Sequence, residues 1–86
     1  MGNEAYTAYS SKMDDVLREF KNLPEFYRGN QDTFIRYIRK ETEVFIEILR
    51  DERFKSISTD DYNRLLEERT KYVKELTNAR SDCTIF

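Results

Sequence analysis

The 86-residue sequence has no histidine and no tryptophan, one cysteine, one proline and two glycines. Each shortage closes a route. Without histidine the chain lacks the commonest general base near neutral pH and the usual partner of a catalytic serine or cysteine. It also cannot supply the Glu-x-x-His pairs of di-iron helical bundles. One cysteine permits no internal disulfide, and without histidine the common zinc-ligand sets cannot be assembled. Gly2 and Gly29 cannot build a phosphate-cradling loop. Carboxylates do come close in sequence, at Asp14–Asp15, Glu41/Glu43, Asp60–Asp61 and Glu67–Glu68. Adjacent ones point different ways round a helix, which disfavours a shared acid/base role. The expectation is a protein that is not an enzyme and carries no metal or cofactor.

Long apolar runs are also missing; none approaches the ~20 residues needed to span a bilayer. The opening "MGNEAY" has neither the basic nor the apolar region of a signal peptide, and Tyr6 stands where a myristoylation signal takes Ser or Thr. No Asn-x-Ser/Thr sequon occurs, and a lone thiol suits a reducing compartment, so a cytoplasmic location is expected. Charge of one sign is lacking too. Charged residues make up 37% of the chain but sum to −2, and the signs nearly cancel within each third. No stretch is basic enough to hold nucleic acid non-specifically, and no nucleic-acid partner is expected.

What is present is helical periodicity in three segments. Tyr6, Tyr9, Met13, Val16, Phe20 and Leu23 repeat at alternating steps of 3 and 4, widened by Leu17, and the run stops at Pro24. Gly29–Asn30 signals a turn, and Asn30 or Asp32 can cap a second helix. There Phe34, Ile38, Phe45, Ile48 and Leu49 form one stripe, while Ile35, Tyr37, Val44 and Ile46 lie off it. A helix apolar round so much of its circumference is buried on more than one side, which implies a surface beyond its two neighbours. The third helix opens at "ISTDDY", with Ser58 as N-cap, Asp61 three residues on, and Ile57 and Tyr62 placed for a hydrophobic staple. It continues through Tyr62, Leu65, Arg69, Tyr72, Leu76 and Ala79. The fold expected is therefore all-α, an antiparallel up-down-up three-helix bundle. Its helices span about 4–23, 31–53 and 59–80 in one domain, with 81–86 a flexible tail. A chain this short buries only about 60% of its unfolded surface and has no covalent staple, so self-association or a larger protein partner is expected.

Arg69 falls on an otherwise apolar seam. It either pairs with a carboxylate such as Glu19, Glu41 or Glu47 on another helix, or sits at the seam's edge and snorkels to water. The second reading is favoured because arginine is seldom fully buried. Arg28, Arg36, Arg39 and Lys40 form the one local basic cluster, a candidate contact for small anionic or nucleotide ligands, although Glu43 can neutralise Arg39 and a solvated face is the favoured reading. Among the twelve aromatic residues, Tyr6, Tyr9, Phe26, Tyr27 and Phe54 are candidate exposed anchors for a protein partner, with Tyr37 and Val44 added from the surplus on the second helix.

The chain ends "SDCTIF". "CTIF" fits the prenylation pattern C-a-a-X, with Cys83 the acceptor, and in overall plan resembles G-protein γ subunits over those four residues. "TIF" resembles a class I PDZ ligand. The favoured reading is a chain end without a role. Taken together, these features point to a small interaction module: an assembly subunit, an adaptor, or a small inhibitor of the kind phages and plasmids encode. The alternatives are a peripheral membrane protein lipidated at Cys83 and an anion binder using the basic cluster.

Overall fold

A computed structural model describes residues 4–80. Among them all regular structure is helical: α1 (Glu4–Lys21), α2 (Glu25–Arg28), α3 (Gln31–Arg50), a 3-10 turn (Glu52–Phe54) and α4 (Thr59–Arg80). The three long helices pack pairwise. Tyr9 of α1 meets Glu41 of α3, while Phe20 meets Tyr37 and Phe34. As α1 rises, α3 descends. Along α3 and α4 the pairs Phe34 with Arg80, Glu41 with Arg69 and Phe45 with Tyr62 also run in opposite senses. Along α1 and α4 the pairs Tyr6 with Arg64, Ser10 with Glu68 and Asp14 with Tyr72 run in the same sense. The result is a rod of 44 × 21 × 16 Å with one core along its axis.

Tyr9, Met13, Phe20, Ile48, Leu65 and Leu76 are fully buried in that core. Each large apolar side chain so buried contributes about 1.5–3 kcal/mol. The helix ends are made locally. The Asn30 carboxamide oxygen accepts from the Thr33 N–H at 3.1 Å, and the Ser58 hydroxyl accepts from the Asp61 N–H at 3.1 Å. Both satisfy donors that the first helical turn leaves orphaned.

The sequence pattern and the structure part in several places. The helix before Pro24 stops at Lys21, and the link that follows contains the one-turn helix α2, which begins on the Pro24 carbonyl and buries none of its residues. The second long helix ends at Arg50 because Asp51 leaves the α conformation and caps the 3-10 turn, its carboxylate accepting from the Arg53 N–H at 2.8 Å. The same carboxylate meets the Arg53 guanidinium, and those bonds pull its pKa down to about 2. The turn folds Phe54 back under the bundle, so Phe54 is core and not an exposed anchor. Tyr37, placed off the stripe by spacing alone, lies in the core against Phe20, whereas Leu49, placed on the stripe, is exposed.

Candidate functional site

Glu41 is the one buried charged residue among the described residues, 1% exposed. Its carboxylate is fully engaged. Arg69 donates to it twice, Nε to Oε2 at 2.6 Å and Nη2 to Oε1 at 2.8 Å, and the Tyr9 hydroxyl donates to Oε2 at 2.8 Å. A bidentate guanidinium and a third donor are what a buried carboxylate needs to offset its desolvation. The Arg69 guanidinium also lies 4.0 Å over the Phe45 ring, so its faces and its edge are both used. Hydrogen bonding to Glu41 raises the Arg69 pKa further. Next along α1, the Tyr72 hydroxyl donates to the Asp14 carboxylate, and the Tyr9 and Tyr72 rings meet edge to face at 5.8 Å. Burial first, and then bonding to Glu41 or Asp14, pushes both hydroxyls well above the ordinary tyrosine range. One residue of each long helix thus closes a polar lock inside the core. Arg69 pairs with Glu41 across the helices instead of snorkelling at the seam's edge, and the favoured sequence reading is corrected on this point.

The candidate anchors sort by burial. Tyr9 and Tyr37 are core residues, so neither is an exposed anchor. Tyr6 is half-buried under the Arg64 guanidinium, and Val44 is half-buried against the core. Phe26 is 79% exposed and stacks edge to face on the exposed Tyr27 at α2. The basic cluster does not come together as a set. Arg28 is tied into the fold, donating to the Leu23 carbonyl at 3.2 Å and to the Ala79 carbonyl at 2.7 Å, where it anchors the last turn of α4. Lys40 lies 3.9 Å from Glu19 and over the Tyr37 ring. Arg36 and Arg39 are exposed on α3. Cys83 and the "CTIF" ending lie outside the described residues.

The structure adds a feature that no single residue announced. Successive helical residues turn by about 100°. On α3, Phe34, Glu41 and Phe45 meet α4. Just beyond them, away from α1, runs a second stripe: Ile35, Ile38, Thr42, Ile46 and Leu49. On α4 the corresponding stripe is Tyr62, Leu66, Thr70, Val73 and Thr77. Ile35, Ile46, Leu49, Tyr62 and Leu66 are 36–40% exposed, and with Phe26 and Tyr27 they make up the large exposed hydrophobics of the described residues. Thr42, Thr70 and Thr77 each donate their hydroxyl to a carbonyl one turn back, those of Ile38, Leu66 and Val73. Their polar atoms are therefore spent locally, leaving the methyl groups to add to the face. Two arginines of α4 beside this stripe, Arg69 and Arg80, are folded over Phe45 and Phe34 of α3. A shallow groove lined by Leu66, Arg69, Thr70, Val73 and the exposed Lys74 runs along α4. Sequence spacing registered the surplus apolar residues of α3, but the threonines' contribution needed the structure.

Among the described residues no three His, Cys, Asp or Glu side chains gather where they could hold a metal ion, and no helix is long and apolar enough to cross a membrane. Compared with protein families, curated proteins and solved structures, the chain matches none.

Two outcomes follow from the lock. Arg69→Met strips Glu41 of its counter-charge and should cost about 3–5 kcal/mol in chemical denaturation. The double change Glu41→Leu with Arg69→Met should recover most of that, because no buried charge is then left alone; equal destabilisation by the single and double variants would contradict the assignment. The tyrosines set an alkaline limit. In the unfolded chain they ionise near pH 10, while in the fold they hold their protons to higher pH. Their contribution is fully present below about pH 10 and is lost as pH rises beyond it. The denaturation midpoint should fall steeply above that pH, and less steeply for Tyr72→Phe; identical slopes would count against the buried phenols.

Proposed function

We propose that this protein is an interaction module that works by binding another helical protein surface across the α3–α4 face. The observation that carries the reading is the double apolar stripe, from Ile35 to Leu49 on α3 and from Tyr62 to Thr77 on α4. Contiguous apolar surface rimmed by charge is the usual mark of a protein-docking site. Two side-by-side helices with such stripes offer the groove into which a further helix packs by ridges and grooves, as in four-helix bundles. Of the two cations lining the α4 groove, Arg69 is drawn inward to Glu41, while Lys74 stands exposed at its rim. A docked partner would cover the stripes and stabilise this small fold by mass action. Assembly subunit, adaptor and small inhibitor are all roles that this mode of binding serves, in the cytoplasm.

The test is a pull-down from the native host with wild type and with Ile46→Glu combined with Leu66→Glu. Both positions are exposed, so the variant should keep its helical circular dichroism. Proteins retained in stoichiometric amount by wild type should be lost by the variant. The same proteins retained by both would overturn the reading.

A further inference from the structure

We propose that the occupant of the α3–α4 face is a second copy of this chain, related by a two-fold axis that crosses the helices at the level of the Glu41–Arg69 pair. This rests on the interaction-module reading and names its partner. The support is a symmetry in the two stripes. On α3, Ile35 and Leu49 stand seven residues either side of Thr42, and Ile38 and Ile46 stand four either side. On α4, Tyr62 and Thr77, and Leu66 and Val73, are each centred midway between Arg69 and Thr70. The α3 stripe therefore reads the same in both directions, as an antiparallel pairing with its own copy requires; on α4 the two outer pairs do so, and Thr70 meets Arg69 of the second copy at the centre. The two centres also lie at one level, because Arg69 is bonded bidentately to Glu41 at 2.6 and 2.8 Å. A single axis in the plane of the face then serves α3 on α3 and α4 on α4. An isologous contact demands this kind of self-complementarity.

The exposed charges along the rims are symmetric about Glu41 on α3 and Arg69 on α4, within one residue of the stripe centres. On α3, Arg39 and Glu43 flank Glu41 by two residues, and Asp32 and Arg50 flank it by nine. The axis sets Arg39 against Glu43 of the second copy and Asp32 against Arg50 of the second copy. On α4, Glu67 and Lys71 flank Arg69 by two, with the same consequence. A parallel pairing would instead oppose Arg39 to Arg39 and Glu43 to Glu43. Charge pairing of this sort selects register and orientation more than it adds affinity.

The experiment is sedimentation equilibrium of the full chain over a range of concentrations. Wild type should be a dimer. Arg39→Glu alone sets Glu against Glu43, and Glu43→Arg alone sets Arg against Arg39, so each should weaken association at least about tenfold, or 1.4 kcal/mol. Mixed in equal amounts the two variants should recover the dimer, since each then faces its opposite charge at both sites. In a Cys83→Ser background, Thr42→Cys should cross-link to itself under mild oxidation and Ile35→Cys should not. A monomeric wild type overturns the proposal, as does a dimer indifferent to both charge reversals. A monomer that still loses its pull-down partners through Ile46→Glu with Leu66→Glu would remove the second copy and leave the interaction module standing. A monomer whose captured proteins are unchanged by that variant would remove both.

Discussion

A carboxylate with no access to water constrains everything around it, and Glu41 is that group. Its oxygens are held by Arg69 from α4 and Tyr9 from α1, so one residue per long helix is committed to a single level of the bundle. Apolar seams alone tolerate sliding by a heptad, because leucine meets leucine either way. A bidentate ion pair does not, since a shift of one turn would leave Glu41 buried without its counter-charge. Buried ion pairs add little net stability over apolar packing, and here the return is register. Tyr72 and Asp14 extend the same constraint one turn further along α1.

The lock also shapes the surface. Arginine at position 69 would otherwise stand at the edge of the α3–α4 groove as a free cation. Drawn over Phe45 and onto Glu41, it leaves that edge to Leu66, Thr70, Val73 and Lys74. Core register and surface character are thus set by one side chain. The same bond brings the midpoints of the two outer stripes close to one level, as the proposed two-fold pairing requires.

Much of this was legible in the order of residues. The 3–4 spacing of α1 and α4, the Ser58 cap and the stop near Pro24 are local effects, written in neighbouring side chains. The misreadings share a cause. Phe54 reads as an exposed anchor because the 3-10 turn that tucks it under the bundle depends on Asp51 accepting from the Arg53 N–H, a single contact without periodicity. Tyr37 reads as surplus, free to meet a partner, because the stripe runs through Ile38 and Leu49. The true inward face runs through Tyr37, Glu41, Phe45 and Ile48, and a glutamate in its middle disguised it. Arg69 reads as snorkelling to water for the complementary reason: each member of the pair looks misplaced until the other is seen. The outer face was half visible, as a surplus of apolar residues on α3. Its threonines read as polar until their hydroxyls are found bonded to their own helix.

The most direct measurement is an isotope-filtered nuclear Overhauser experiment on an equal mixture of labelled and unlabelled protein, which reports contacts between copies and nothing within one. The account predicts intermolecular peaks from the Thr42 methyl to Thr42, from Ile38 to Ile46 and from Leu66 to Val73. Intermolecular peaks confined to α1 or to Phe26 and Tyr27, or none at concentrations where the chain is fully folded, would contradict it.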